Sequence, residues 1–372
     1  MTSTGSRRGF IAKSALAGTP LAFPMLARAK SEQVVKWRLA SSYPKSLDTI
    51  FGISDHVAKK IAAMTDNEFQ IRVFAAGELV GPLAVMDAVQ NAGVEAGHTA
   101  SVYYTGKDKT FAFDTGVPYG MTPRQHLGWQ YRGGGIETFR PLFKKYNIIN
   151  FPGGSTGVQM GGWFRKEIKT VADLKGIKMR IPGLSGDVAA RMGIVPQNIA
   201  GGDTYAALER GVIDAVKWVG PYDDEKLGFN KAAKFYYFPG WWDCTGQLAF
   251  YVNLPAWEAL PKEFQTVFEV AAVEGTMDML AAYDTKNTSA LKRLVATGTV
   301  LKQFPKDVMQ AGYKAAWSLY AEEAEKNPEF ARVFGEWKKY REQVLVWHSL
   351  NEASFESSLY ALSRENAAAP AR

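Results

Sequence analysis

Cysteine and histidine are both scarce in this chain of 372 residues, which contains one cysteine and four histidines. Cys244 has no second cysteine with which it could form a disulfide inside the chain. The histidines are scattered, at positions 56, 98, 126 and 348. Because zinc sites usually draw on closely spaced His and Cys ligands, this scatter argues against a zinc-dependent activity.

The N-terminal apolar segment lacks the length of a membrane span. It runs from Ile11 to Leu26 and is interrupted by glycine and proline. The pair Arg7-Arg8 precedes it in a twin-arginine pattern, and Ala27-Arg28-Ala29 follows with the small-x-small form of a cleavage site. We therefore predict that residues 1–29 are a removable twin-arginine export signal and that the mature protein is periplasmic.

Basic tracts of the kind that bind nucleic acid are absent. The whole chain has a formal net charge of +7. The predicted signal contains four cationic residues and no acidic residue, so the mature chain would carry +3. This balance excludes a typical nucleic-acid-binding protein and would mildly attract anionic solutes.

Hydrophobic periodicity in the first part of the mature chain predicts alternating strands and helices. Strand patterns occur at 35–39, 69–73 and 98–104, and helical patterns at 50–64 and 83–89. This β-α-β-α-β order indicates a parallel or mixed sheet covered by helices.

A second unit of the same kind begins near residue 155. We predict strands at 177–181 and 213–219, a helix at 186–192, and a helix at 205–210 capped by Asp203-Thr204. A strand at 247–253 would return to the first unit, and a long helix would run from Pro261 to about residue 283. A strand at 300–304 and an aromatic-rich helical region would complete the chain.

The prediction from these patterns is an α/β fold with two hinged lobes and a ligand cleft between them. Lobe I would comprise residues 30–154 and about 246–300, and lobe II residues 155–245 and about 301–345. Residues 346–372 would form a C-terminal helical tail. The crossings near 154 and 245 would supply the hinge.

Two glycine-rich motifs have weak functional meaning. Gly153-Gly154-Ser155-Thr156-Gly157 matches the G-x-S-x-G nucleophile elbow, which requires a helix after the serine. Gly161 and Gly162 disfavour a helix there, so we interpret the motif as a chance match or a glycine-rich hinge turn. Gly133-Gly134-Gly135 lacks the spacing of a dinucleotide loop and is interpreted as a turn.

Three positions stand out as candidate binding residues. Arg180 ends a predicted strand, and its planar guanidinium suits a carboxylate, although a surface arginine would show the same pattern. Trp218 follows Lys217 at a strand end and could line a pocket or fill the core. Asp243 lies among apolar residues, where an acid needs a partner unless it occupies a solvated turn.

Four segments resemble the extracytoplasmic receptors of tripartite ATP-independent periplasmic (TRAP) transporters. They are FAAGELV (74–80), GVQMGGWF (157–164), DLKGIKMRIP (173–182) and ALERGVIDA (207–215). The resemblance covers essentially the whole mature chain and is strongest for the branch that binds 2-oxo or 2-hydroxy monocarboxylates such as pyruvate or lactate. It implies two lobes with mixed sheets, hinge strands and a long helix spanning both lobes.

The resemblance also implies the function and the site. The receptor would capture a small organic carboxylate by lobe closure and deliver it to TRAP membrane permease subunits, without catalysis. Members of this branch can be homodimers built through C-terminal helices. The implied ligand-binding residues are Arg180 as the carboxylate clamp, Gln159, Trp218, Lys217, Asp243, Tyr103, Tyr104, Ser42 and Tyr43.

Lys217 departs from the pattern of this branch, in which a glutamate at that position helps to hold a cation. If a sodium or calcium ion were bound, Gln159, Trp218 and Asp243 would be its protein ligands. An ammonium beside these oxygen ligands would repel the cation. We therefore expect no cofactor, and hypothesise that the Lys217 ammonium replaces the metal, pairs with Asp243 and meets the ligand. The alternative is that Lys217 points to solvent and a sodium or calcium ion still bridges the ligand.

Two other functions share this sequence evidence. A periplasmic sensory receptor for the same ligand class would use every one of these site residues. A periplasmic enzyme is the weaker alternative, because no convincing nucleophile with its base is found.

Overall fold

The computed structural model describes residues 34–368. Its strands are β1 (Val35–Ser41), β2 (Phe69–Phe74), β3 (Ala96–Thr99), β4 (Ile148–Ser155), β5 (Gly162–Phe164), β6 (Lys178–Arg180), β7 (Val195–Gln197), β8 (Ala215–Val216), β9 (Phe235–Phe238), β10 (Gln247–Asn253) and β11 (Val300–Gln303). Its α-helices are α1 (Gly52–Met64), α2 (Val85–Gln90), α3 (Ala112–Thr115), α4 (Pro123–Arg132), α5 (Gly135–Lys144), α6 (Gly183–Arg191), α7 (Gly201–Glu209), α8 (Pro221–Lys226), α9 (Phe229–Ala232), α10 (Leu254–Ala259), α11 (Lys262–Ala296), α12 (Lys306–Lys326), α13 (Pro328–Leu350) and α14 (Glu352–Ala368).

The first sheet has the strand order β2-β1-β3-β10-β4. β1 runs parallel to β2 and β3, whereas β10 is antiparallel to β3 and β4. Every residue of β10 is buried, which explains its nearly continuous apolar sequence. Aromatic side chains of α11 cover one face: Phe264 stacks on Phe69 at 5.7 Å, and Phe268 packs near Trp37.

The second sheet has the order β11-β9-β5-β8-β6-β7. β6 runs parallel to β7 and β8, and β5 is antiparallel to β8 and β9. Trp163 of β5 stacks on Tyr236 of β9 with ring centroids 4.0 Å apart. Both rings are fully buried, so this pair anchors the middle of the sheet.

The chain passes between the two sheets three times. β4 leads from the first sheet to β5 of the second, β9 leads back to β10, and α11 connects β10 with β11. The first two connections run side by side, because Ser155 pairs with Gln247. The hinge role of these connections and the lobe boundaries stay predictions.

The long helix α11 extends beyond the predicted end near residue 283, to Ala296, which makes it about 52 Å long. It packs on β4 and α1 of the first sheet and also on α8, which follows the second sheet's β8. α11 therefore connects both sheets structurally.

Three predicted elements differ from the structure. The strand predicted at 98–104 ends at Thr99, and Ser101–Tyr104 form a 3₁₀ turn, because neither neighbouring strand pairs with the chain beyond Thr99. The strand predicted at 213–219 is only Ala215–Val216. The predicted cap at Asp203-Thr204 is wrong: α7 begins at Gly201, and the Thr204 hydroxyl donates back to the Ala200 carbonyl inside the first turn.

Gly133 and Gly134 form a turn, as interpreted, whereas the turn interpretation is wrong for Gly153, Gly154 and Ser155, which are the last residues of strand β4. No helix follows Ser155; the chain continues through a loop into β5, so the nucleophile-elbow geometry does not form. Gly154 has a φ of +112°, and Gly134, with a φ of +80°, turns the chain between α4 and α5.

The C-terminal region is helical, as predicted. α12 and α13 pack on each other, with Tyr320, Phe330 and Trp337 buried between them and the body. α14 is exposed along nearly all of its described length. Within residues 34–368 no helix combines the length and hydrophobicity that crossing a membrane requires. The predicted export signal lies outside the described residues.

Candidate ligand-binding site

A small cleft lies where the parallel strands of both sheets end. β6 ends at Arg180 and its parallel neighbour β8 ends at Val216, directly before Lys217. From the first sheet, the segments after β1 and β3 reach the same cleft. Carboxyl ends of parallel strands are the usual ligand-binding edge of α/β sheets. The cleft is lined by Tyr43, Ile50, Ala100, Val102, Tyr103, Thr115, Thr156, Gln159, Arg180, Pro182, Lys217, Trp218, Val219, Asp243, Gly246 and Leu248.

Arg180 is held rigidly in this cleft and is only 2% exposed. Its Nε donates to the Ile199 carbonyl and its Nη1 to the Lys217 carbonyl, each at 2.9 Å. Nη2 is buried and has no hydrogen-bond partner. A guanidinium has five N–H groups, so the groups that remain can bind a carboxylate through both Nη atoms.

Trp218 supports the guanidinium from one side. The Arg180 Cζ lies 4.7 Å from the centre of the indole ring, within cation–π distance. The ring fits against the start of α7, where a Cβ on Gly201 would lie 2.3 Å from an atom of the indole. The indole Nε1 is buried without a partner. Trp218 thus positions Arg180, and its indole N–H is available to donate a hydrogen bond to a ligand.

Lys217 and Asp243 form a buried ion pair beside Arg180. Nζ of Lys217 donates to Oδ2 of Asp243, and Ser185 Oγ lies 2.9 Å from Oδ1 of the same carboxylate. Burial lowers the pKa of Lys217, and the charge of Asp243 opposes this shift. Burial raises the pKa of Asp243, and Lys217 opposes that shift. Each charge therefore favours the ionised form of the other.

Gln159 comes from the connection after β4. Its Nε2 donates to Thr156 Oγ1 at 2.9 Å, whereas its Oε1 is buried without a partner. Gly246, on the returning connection, permits this arrangement, because a Cβ there would lie 2.3 Å from Gln159 Nε2. Both connections between the sheets thus contribute to the wall of the cleft.

Tyr43 and Tyr103 bring the first sheet to the cleft. Tyr43 follows β1, and Tyr103 lies in the 3₁₀ turn after β3. Burial, together with the neighbouring phenol of Tyr103, raises the pKa of Tyr43 well above its usual value. Its hydroxyl therefore stays protonated and can donate a hydrogen bond.

Ser42 and Tyr104 do not line the cleft, in contrast to the other seven predicted residues. Thr99 links them: Ser42 Oγ donates to its Oγ1 at 2.7 Å, and the Tyr104 hydroxyl lies 2.9 Å from the same atom. The backbone N–H of Met86 donates to Tyr104 as well. Their polar atoms are engaged within the first sheet, so the structure gives them a supporting position.

Sequence reasoning missed several residues of this site. Ser185, which holds Asp243, lies in the first turn of α6, directly after the strand that carries Arg180. Thr156 fixes Gln159 from three residues away. Both Ser185 and Thr156 have a short hydroxyl side chain just past the end of a strand, and this pattern in the sequence could have indicated them.

Comparison with known proteins identifies the family. The family model described as bacterial extracellular solute-binding protein, family 7, matches residues 40–327, well over half of the chain. The chain belongs to this family. A monocarboxylate 2-oxoacid-binding periplasmic protein of Nostoc sp. is 52% identical over 87% of this chain and 88% of its own length.

Solved structures of TRAP solute-binding proteins agree with the fold. A TRAP transporter solute-binding protein of Bordetella bronchiseptica superposes with a TM-score of 0.88 at 48% identity, covering 90% of this chain and 99% of that one. It is a mixed-occupancy dimer with copurified calcium and picolinate in one site. A TRAP periplasmic solute-binding protein of Pseudoalteromonas atlantica, with bound sodium and pyruvate, superposes with a TM-score of 0.85 at 40% identity. The match covers 88% of this chain and 99% of that one.

These findings confirm three sequence predictions. The protein is a TRAP-type solute-binding receptor, its fold is α/β with two mixed sheets and a long connecting helix, and its location is extracytoplasmic.

The residues of this cleft do not fit a bound cation of the kind seen in those two relatives. Asp243 is the only carboxylate on the wall, and the Lys217 ammonium already contacts it. A cation at Asp243 would lie against a second positive charge, which is strongly unfavourable in a buried site.

Proposed function

We propose that this receptor binds a small 2-oxo or 2-hydroxy monocarboxylate, with 2-oxo acids such as pyruvate preferred. The observation that carries the proposal is the position of Arg180 in a buried cleft. Two backbone carbonyls hold its guanidinium, and the remaining N–H groups of the guanidinium are available to a ligand. A carboxylate is the group that this fork binds best. The 2-oxo acid specificity of the Nostoc relative and the pyruvate in the Pseudoalteromonas receptor support the preference.

The charge and size of the cleft favour a small monoanion. Its charged side chains are Arg180, Lys217 and Asp243, so the wall carries a net charge of +1. One carboxylate neutralises this charge, whereas a second would face Asp243 or the apolar wall formed by Ile50, Val102 and Leu248. The cavity volume of about 40 Å³ suits only a small ligand.

Capture rather than catalysis is the role that the chemistry of the cleft supports. Lys217 is engaged as an ammonium by Asp243 and therefore lacks the free lone pair of an amine nucleophile. Burial raises the pKa of the neighbouring Cys244 to about 11, so this thiol stays protonated at neutral pH. The bound carboxylate would then be delivered to the TRAP membrane permease.

A thermal-shift panel of pyruvate, lactate, acetate and succinate tests the ligand class on the mature protein, residues 30–372. Ligand at 100 times its Kd stabilises by about 2.7 kcal/mol, so pyruvate should raise the melting temperature clearly. Arg180→Met should abolish the shift, whereas Arg210→Met, which changes an exposed arginine after α7, should preserve it. A shift with another chemical class and none with monocarboxylates would overturn the proposal.

Delivery is tested separately by uptake of labelled pyruvate into cells that carry or lack this receptor. We expect uptake to depend on the receptor. A purely sensory receptor would leave uptake unchanged.

We also propose a homodimer formed through the C-terminal helices. Apolar side chains near the end of α13 and along α14 are exposed: Val346, Trp347, Leu350, Phe355, Leu359, Tyr360 and Leu362. A patch of this kind is typical of a protein interface, and the Bordetella relative is a dimer. Light scattering should show a dimer that Trp347→Glu/Phe355→Glu converts to a monomer; a monomeric parent protein at high concentration would contradict this.

Cleavage after residue 29 is proposed as well. The mass of the protein recovered from the periplasm should correspond to a chain that begins at Lys30. A recovered chain that retains residues 1–29 would exclude it.

A further inference from the structure

We propose that Lys217 is a built-in cation of this receptor: its ammonium donates to the 2-oxo or 2-hydroxy oxygen of the ligand, and no metal ion is needed. The inference rests on the proposed function, because it concerns how the same monocarboxylate is held. It distinguishes this chain from the Bordetella and Pseudoalteromonas receptors, in which a cation accompanies the ligand.

Lys217 is fixed from its backbone outwards. Its N–H donates to the Arg180 carbonyl at 3.0 Å, and its own carbonyl accepts from Arg180 Nη1 at 2.9 Å. The two cationic residues lie at the ends of neighbouring parallel strands, and both line the cleft. One can take the carboxylate of a ligand while the other takes the oxygen on its second carbon.

The ammonium has donors to spare. In the part of the chain that the structure describes, Lys217 Nζ donates only to Asp243, and an ammonium carries three N–H groups. Lys217 also lines the cleft, although its side chain is only 7% exposed. Asp243 and Ser185 thus hold the ammonium at the cleft with hydrogen-bonding capacity left over.

Charge balance gives the same result independently. With Lys217 the wall carries +1, which a monoanion neutralises. With glutamate at position 217 the wall would carry −1, and a divalent cation would be needed to return it to +1. Lys217 therefore supplies a charge of +1 without a metal, the same charge that a glutamate at position 217 and a divalent cation would supply together.

Isothermal titration of the mature protein with pyruvate tests this inference. One buffer is sodium-free and contains a chelator; the others contain calcium or sodium at matched ionic strength. We expect the Kd to agree within about twofold among the buffers, because no cation takes part. A Kd that weakens about tenfold or more in the chelator buffer would overturn the inference.

The Lys217→Glu variant gives the second readout. In chelator its affinity for pyruvate should fall by at least about tenfold, and calcium should restore at least part of the loss. Lys59→Glu makes the same charge reversal on an exposed lysine of α1 that does not line the cleft, and should bind like the parent protein. Equal pyruvate affinity of Lys217→Glu and the parent in chelator would count against a role for the ammonium.

Metal analysis separates this inference from the proposed function. Titration of calcium alone should give no heat at the site in the parent protein, and the purified protein should contain no stoichiometric metal. Binding of calcium alone or a copurified metal contradicts the built-in cation even if pyruvate binds. Absence of pyruvate binding without any metal binding instead overturns the proposed ligand class, and with it this use of Lys217.

Discussion

The buried pair of Lys217 and Asp243 leads to a quantitative prediction about stability. Lys217 is 5% exposed and Asp243 is 1% exposed, and Ser185 alone among the described side chains shares the carboxylate with the ammonium. Removing one partner of such a pair leaves an uncompensated buried charge, which typically costs about 3–5 kcal/mol. We expect Asp243→Ala to lower the free energy of unfolding by about this amount.

A double variant separates the pair from simple loss of packing. Lys217→Met/Asp243→Asn removes both charges and keeps an amide oxygen that can accept from Ser185. Its cost should be well below the sum of the costs of Lys217→Met and Asp243→Asn alone, since neither charge is left unpaired. Asp243→Ala is measured alongside this cycle.

Urea unfolding of the apo protein, followed by tryptophan fluorescence and circular dichroism, measures all four proteins of this cycle. The pyruvate-free form is used so that ligand binding does not contribute. If each single variant costs less than about 1 kcal/mol, the pair is solvated like a surface salt bridge, and the description of Lys217 and Asp243 as a buried ion pair is refuted.

Three further predictions concern positions around the cleft. Gly201→Ala places a Cβ 2.3 Å from an atom of the Trp218 indole, so the ring must move. Titration calorimetry should show weaker pyruvate binding, and circular dichroism should show that the fold is retained. Gly154→Ala, at a φ of +112° and 2.3 Å from Met279 Sδ, should destabilise the protein by about 1–3 kcal/mol in urea unfolding. Burial raises the pKa of Asp223 from 3.8 to about 7, so the native state binds this proton more tightly than the unfolded state does. The contribution of this group to the free energy of unfolding therefore falls as the pH rises from about 4 to 7. Asp223→Asn should flatten that part of a pH–stability curve.

Periodicity in the sequence located most of the fold because its strands and helices have distinct buried faces. β1, β2 and β10 were found from alternating or continuous apolar residues, and α1 from its single apolar face. The length of β8 was overestimated because Trp218 and Val219 are apolar and buried, although they line a cleft instead of pairing in a sheet. Burial alone gives these two situations the same pattern.

The site was only partly accessible to sequence reasoning. Arg180 could be singled out because it ends an apolar strand, but its two carbonyl partners are Ile199 and Lys217, which only the fold brings close. The pairing of Lys217 with Asp243, 26 residues away, came from the family resemblance, since no local pattern joins them. Tyr104 resembles Tyr103 in sequence, yet the 3₁₀ turn places only Tyr103 on the cleft wall.

The C-terminal tail illustrates a different limit. Its aromatic and apolar residues predicted helices, and α13 and α14 are helical. The pattern could not show that α13 buries Phe330 and Trp337 whereas α14 leaves Phe355 and Tyr360 exposed. That difference depends on which surface of the body the chain can reach.

The central claim is that Arg180 receives the carboxylate of a small monocarboxylate, and pyruvate titration of Arg180→Lys tests it most directly. The lysine keeps the positive charge but loses the planar fork and the bonds to the Ile199 and Lys217 carbonyls. We expect Arg180→Lys to bind pyruvate at least about tenfold more weakly than the parent protein, with an unchanged circular dichroism spectrum. Parent-like affinity in a folded Arg180→Lys protein would contradict it and place the carboxylate elsewhere.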